Sequence, residues 1–166
     1  MLLLWDHVIE RHADALGQLD RADLCELAVG VIESTGRLFD PPFSEFFPPA
    51  AADLVLSTIR QLNESSPEWR LSQDGVAEFY RRQDSLPEVA IRPGVGPFVM
   101  AVMRLVGGVS GVMTADEVLE ILSACYEAIL MSQLTGRVTI QMQQENERCR
   151  AAIDLQEQLI ARHLGI

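Results

Sequence analysis

The chain has 166 residues, 48% of them hydrophobic, and its 24 acidic residues against 13 arginines and no lysine give a formal net charge of −11. The length suits one domain, and the apolar content is enough for a buried core without disulfides or metals. The charge argues against binding to nucleic acids or anionic membranes, because phosphates repel an acidic surface. We therefore expect residues 1–166 to form a single domain that does not bind nucleic acids or membranes.

Cysteine usage and the apolar runs point to a reducing compartment. Cys25, Cys125 and Cys149 are too far apart for a Cys-x-x-Cys motif, and each falls in an apolar helical pattern that predicts a buried thiol. The run Met1–Trp5 is too short for a signal peptide. The apolar stretch Pro97–Met113 falls short of the roughly 20 residues of a membrane span. We expect a cytoplasmic protein.

Apolar residues recur at helical spacing along the chain, and the alternation typical of strands is nearly absent. The segment Leu4–Leu16 predicts one helix. A second helix is expected to begin after Asp20, a good N-cap, and to stop at Gly36, where a left-handed residue costs least. The next stretch, Phe39–Pro49, contains four prolines. Prolines lack an N–H, so this stretch cannot be one continuous helix.

Two further helices are predicted over Pro49–Leu62 and Gln73–Gln83, where apolar residues recur every three or four positions. A second loop rich in proline and glycine follows, from Leu86 to Gly96. Within it, Val89–Ile91 predicts a short extended piece.

Two helices that are apolar on almost every side come next, over Pro97–Val109 and Thr114–Leu134. Pro97 suits the first position of a helix, where its missing N–H is not needed. Thr114 and Glu117 have the spacing of a capping box. Helices without a polar face lie inside a bundle. The pattern therefore predicts an all-α bundle of six or seven helices around this central pair.

The last predicted helix runs from about Val138 to Leu164. Its stretch Gln143–Arg148 contains no apolar residue, so we expect that stretch to project into water or to meet a partner. Because the helix is long, a homodimer assembled through it is one of the alternatives for function.

The sequence offers little reactive chemistry. His7 and Glu10 have a His-x-x-Glu order, the reverse of the Glu-x-x-His motif of helical metal sites, and no second copy exists. His163 falls in a last helical turn, where a cation suits the helix dipole. The lack of lysine removes Schiff-base chemistry. We expect no metal and no cofactor, and a non-enzymatic role is favoured over a catalytic one.

Acidic residues crowd the first two predicted helices. The pattern predicts either a solvated face or a surface that docks a basic protein partner, since one-signed patches accelerate association. In size, acidity and lack of a catalytic motif the chain resembles bacterial immunity and antitoxin-type inhibitors, which occlude a basic toxin. Our leading hypothesis is a non-catalytic protein-binding module. The acidic residues assigned to its interface are Asp6, Glu10, Asp14, Asp20 and Asp23.

Two other groups of residues have alternative interpretations. Phe43, Phe46 and Phe47 lie among the prolines and form either a lid over the core or a partner-binding edge, because aromatics anchor interfaces. A cluster of arginines and one tyrosine near the second loop predicts an anion pocket, which would make the chain a small-molecule binder or an enzyme. The residues assigned to this pocket are Arg70, Tyr80, Arg81, Arg82 and Arg92.

Overall fold

In a computed structural model, which describes residues 2–87 and 92–166, the secondary structure is entirely helical. The predicted all-α class is therefore confirmed. The helical pieces outnumber the six or seven expected, because the first and last predicted helices are each broken and the proline-rich stretch holds one short helix. The extended piece predicted at Val89–Ile91 lies outside the described residues.

The first segment is three short elements rather than one helix. Helix α1 (Leu4–Val8) is followed by a 3₁₀ helix (Glu10–His12) and by α2 (Ala13–Leu16). Leu3, which precedes α1, has no polar side-chain atom that could accept a hydrogen bond from the first turn. A helix this short is marginal on its own, so packing of the apolar side chains decides where the segment bends.

Helix α3 (Arg21–Gly36) follows the predicted signals closely. The Asp20 carboxylate accepts a hydrogen bond from the Asp23 backbone N–H at 2.8 Å, which satisfies one of the open N–H groups of the first turn. The helix ends at Gly36, but this glycine keeps right-handed helical geometry, so the left-handed stop expected there is wrong. The apolar face predicted for this helix is buried: Leu24, Leu27, Ala28, Val31 and Ile32.

The proline-rich stretch folds down onto the core through its aromatic rings. It contains one turn of helix, α4 (Phe43–Phe46). The ring of Phe98 lies 5.3 Å from that of Phe39 and 5.5 Å from that of Phe47, both in edge-to-face contact. Such pairs add to the hydrophobic gain of burial.

Helices α5 (Pro49–Glu64) and α6 (Gln73–Asp84) are joined by a loop that Arg21 fastens to the rest of the molecule. The Arg21 guanidinium donates to the carbonyl oxygens of Glu68, Trp69 and Val109 at 2.6, 2.9 and 3.0 Å. One side chain of α3 thereby connects this loop to the backbone at Val109.

The central apolar pair is confirmed, and it consists of α7 (Val95–Val109) and α8 (Ala115–Gln133), which pack on each other. Helix α7 begins two residues before Pro97, which sits within the first turn, where its missing N–H is still harmless. Gly94 precedes α7 with a left-handed φ of 101°. Thr114 caps α8 by accepting the Glu117 N–H at 3.1 Å. No helix in the described ranges is long and apolar enough to cross a membrane.

The last predicted helix is interrupted at Asn146, which separates α9 (Ile140–Glu145) from α10 (Glu147–Leu164). The Asn146 side chain accepts the Cys149 N–H at 3.0 Å and so starts a new helix. Helix α10 packs on both α3 and α8. The stretch Gln143–Arg148 was expected to project into water or to meet a partner, but Gln143 is available for neither, because its side chain is completely buried.

Candidate acidic interface

A surface groove collects carboxylates from two parts of the chain that are far apart in sequence. Asp6 and Glu10 come from α1 and the 3₁₀ helix, whereas Asp116 and Glu120 come from the first turns of α8. Together they line a cavity of about 410 Å³. All four side chains are exposed. Its remaining walls are Trp5, Leu119 and Ser123.

The groove has little positive charge to balance it. Within residues 2–87 and 92–166, no arginine or histidine lies within ion-pair distance of Asp6, Glu10 or Asp116. Glu120 has one cationic neighbour, Arg104, whose Nη2 lies 3.9 Å from its Oε2, a distance too long for a hydrogen bond. The groove therefore presents a field that attracts cations.

Glu127, about two turns beyond Glu120 on α8, is affected by these carboxylates. Its pKa is raised above the ordinary glutamic acid range, first by burial and then by the negative charges of Asp6 and Glu120. The folded state consequently holds this proton more tightly than the unfolded chain. The contribution of Glu127 to stability is present at low pH and is lost as the pH rises through the folded-state pKa.

Removing the neighbouring charges should lower the pKa of Glu127. In the variant Asp6→Asn/Glu120→Gln we expect the pKa of Glu127 to fall but to stay above that of an ordinary glutamate, because burial, the larger cause, remains. The measurement is an NMR titration of its carboxyl carbon. The control variant Asp53→Asn/Glu64→Gln, on α5, should leave that pKa in place. An identical titration in all three proteins would show that the charges of Asp6 and Glu120 do not act on Glu127.

A buried glutamine holds the chain around α1 in position beside α8. The Gln143 Oε1 accepts hydrogen bonds from the Leu4 backbone N–H and the Tyr126 hydroxyl, each at 2.8 Å. Its Nε2 donates to the Leu2 carbonyl oxygen at 2.9 Å. Gln143 thus connects α1, α8 and α9, and it sets the place of Asp6 relative to the acids of α8.

A second buried glutamine fixes the neighbouring tryptophan. The Trp5 indole N–H donates to the Gln156 Oε1 at 2.8 Å, and the Gln156 Nε2 donates to the Leu122 carbonyl oxygen at 2.9 Å. The Gln156 side chain is fully buried and Trp5 nearly so. Because buried polar atoms must find partners, this arrangement admits one orientation of Trp5, which is a wall of the groove.

The predicted acidic residues divide between two places. Only Asp6 and Glu10 reach the groove, and the chain bends between them and Asp14, where one helix over Leu4–Leu16 was expected. Asp14 is exposed on α2. Asp20 is occupied as the cap of α3, and Asp23 lies at the start of that helix. The groove therefore lacks Asp14, Asp20 and Asp23 of the predicted interface and adds Asp116 and Glu120 of α8.

The three phenylalanines of the predicted lid or partner-binding edge, Phe43, Phe46 and Phe47, pack against the core. Phe46 and Phe47 are buried, and Phe43 is half-buried with its ring 4.2 Å from that of Phe47. This arrangement is that of a lid on the bundle. Little of Phe46 and Phe47 is left for a partner to touch, so a partner-binding edge here would rest on Phe43.

The residues of the predicted anion pocket are dispersed. None of the cavities described for residues 2–87 and 92–166 is lined by two of them. Arg81 pairs with Glu78 on its own helix, and Tyr80 is exposed nearby. Arg82 donates to the Ser57 hydroxyl at 2.9 Å. Arg92 lies over the ring of Phe46 at 5.4 Å, and Arg70 lines a separate cavity between α6 and α7.

The cysteines are buried thiols with no pairing among them, as the sequence predicted. Burial raises the pKa of Cys125 to about 12 and that of Cys149 to about 11, and it also raises the pKa of Cys25. A nucleophilic cysteine needs the opposite shift, so these side chains serve packing.

Sequence reasoning missed four residues that build or hold the groove. Asp116 and Glu120 lie near the start of α8, where acidic residues suit the helix dipole and so show no further role, and Gln143 falls in the stretch expected to meet water or a partner. Gln156 did carry a signal, because it falls on the same stripe of α10 as Cys149 and Ile160. Comparison of the chain with protein-family models, with curated proteins and with solved structures gave no match.

Proposed function

We propose that the chain is a non-catalytic protein-binding module whose acidic groove receives arginine or lysine side chains of a basic partner. The observation that carries this proposal is the convergence of Asp6, Glu10, Asp116 and Glu120 on one cavity with almost no balancing charge. Carboxylates are natural partners of guanidinium groups, and the half-buried Leu119 offers an apolar wall for a long aliphatic stem.

The chemistry of the groove favours a protein over other ligands. Nucleic acids and anionic lipids would be repelled by the same carboxylates. The module would act as an inhibitor that covers a basic functional surface of its partner, in the manner of immunity and antitoxin-type proteins. A cytoplasmic location agrees with three buried cysteines that remain thiols.

Binding of a labelled octa-arginine peptide, followed by fluorescence anisotropy, tests the proposal. We expect the variant Asp6→Asn/Glu10→Gln/Asp116→Asn/Glu120→Gln to bind the peptide about tenfold more weakly than the parent chain, because local contacts are lost. Affinity of the parent should also fall between about 50 mM and about 300 mM salt, as screening shortens the reach of the field.

A control with the same change in net charge separates the groove from the general field of the protein. The variant Asp53→Asn/Glu64→Gln/Glu68→Gln/Asp74→Asn removes two aspartates and two glutamates that are exposed on or near α5 and α6. We expect it to retain most of the affinity. Equal weakening in both variants would mean that the peptide senses only diffuse charge, and the proposed interface would be wrong.

A further inference from the structure

Three potential metal ligands from two helices meet on another part of the surface. Asp23 and Glu26 lie one turn apart in the first half of α3, and His163 lies in the last turn of α10. One ligand atom from each side chain lies within 4.8 Å of the other two. The i, i+3 spacing places both carboxylates on the same face of α3, toward the imidazole.

The histidine is the part of this cluster that points to a ligand. Its side chain is nearly nine-tenths buried, with 11% exposed. Within the described ranges neither ring nitrogen has a hydrogen-bond partner, and Asp23 Oδ1 lies 3.9 Å from Nδ1, too far for a hydrogen bond. A nearly buried imidazole that faces two carboxylates without bonding to either leaves a gap between the three groups.

We propose that Asp23, Glu26 and His163 bind a divalent first-row transition metal ion such as Zn²⁺. One nitrogen and two oxygen donors suit Zn²⁺, whereas Ca²⁺ and Mg²⁺ take oxygen ligands almost alone. Bonds of about 2.1 Å would place neighbouring ligand atoms about 3.4 Å apart in a tetrahedron. Asp23 is partly buried and Glu26 is exposed, so small rotations of these side chains can bring the three ligand atoms to that distance.

Bound in this way, the ion would join the start of α3 to the end of α10. Three protein ligands leave at least one coordination position for water. The site shares no residue with the acidic groove. It therefore stands or falls independently of the proposed partner binding.

Calorimetric titration of the chelator-treated full chain with Zn²⁺ tests the site. We expect one equivalent to bind, and we expect His163→Ala and Asp23→Asn/Glu26→Gln each to weaken that binding at least about tenfold. His7→Ala, which removes an exposed histidine of α1 with a glutamate nearby in sequence, should bind as the parent does. Absence of stoichiometric binding, or binding that His163→Ala leaves intact, would overturn the proposal.

A second measurement covers the case in which His163→Ala does not fold. Addition of Zn²⁺ to the parent chain should shift the ring nitrogen resonances of His163 in NMR spectra and leave those of His7 in place. Shifts confined to His7, or spread equally over all three histidines, would show that Zn²⁺ binds elsewhere on the acidic surface and that the cluster is only an ion pair.

Discussion

Replacing Gln143 with leucine is expected to destabilise the fold by about 2–4 kcal/mol, because two buried donors lose their acceptor and each such loss costs about 1–3 kcal/mol. These donors are the Leu4 backbone N–H and the Tyr126 hydroxyl. Leucine is similar in size to glutamine, so the loss would come from the hydrogen bonds rather than from a cavity. Urea unfolding followed by circular dichroism measures the change.

The neighbouring glutamine supplies the control. Gln144 is exposed on the same short helix, and Gln144→Leu should change the free energy of unfolding by less than about 0.5 kcal/mol. If both variants unfolded at the same urea concentration as the parent, the buried role of Gln143 would be refuted.

The variant Gly94→Ala is expected to be destabilised by about 2–5 kcal/mol, from backbone strain together with overpacking. Gly94 has a φ of 101°, a region that L-residues with a side chain rarely adopt. A Cβ at this position would also run into the backbone carbonyl oxygen of Ala128, which cannot move aside as a side chain could. Thermal or urea unfolding provides the measurement.

The opposite effect on stability is expected for an alanine substitution two residues later, at Gly96. Gly96 lies inside the first turn of α7, and a Cβ there would meet no atom within 4 Å. Gly96→Ala should therefore be neutral or stabilise the fold by about 0.5 kcal/mol, by restricting the unfolded chain. Similar effects of the two substitutions would contradict the close contact described between Gly94 and α8.

The parts of the fold that were predictable are those governed by local chemistry. Asp20 and Thr114 accept the N–H groups that their spacing indicated, and the stripes of α3, α7 and α8 are buried as their periodicity required. Such features depend on residues three or four positions apart, which a sequence displays directly.

The breaks in the first and last helices depend on distant contacts instead. Asn146 is a capping residue that can also sit inside a helix, and the choice is decided where Gln143 meets the chain near Leu4. The two residues are 139 positions apart. The spacing of apolar residues does not show this long-range contact, so the sequence predicted a single long helix.

The acidic groove was half predictable for the same reason. The density of carboxylates near Asp6 was plain from the sequence, and so was the acidic first turn of α8. Their convergence follows from the bridge that Gln143 makes between Leu4 of α1 and Tyr126 of α8. The predicted arginine pocket is dispersed because Arg81 pairs with Glu78 on its own helix, whereas Arg82 donates to Ser57 of α5.

The hydrogen bond between Trp5 and Gln156 joins residues 151 positions apart, which has a consequence for biosynthesis. At ribosomal speeds of about 5–20 residues per second, Trp5 is synthesised about 8–30 seconds before its acceptor Gln156. During that interval Leu3, Leu4 and Trp5 must remain on the nascent chain without their final shelter. Helix α1 therefore cannot complete its docking until α10 has been made, and chaperones that recognise exposed apolar segments would find a target at Leu3, Leu4 and Trp5 until then.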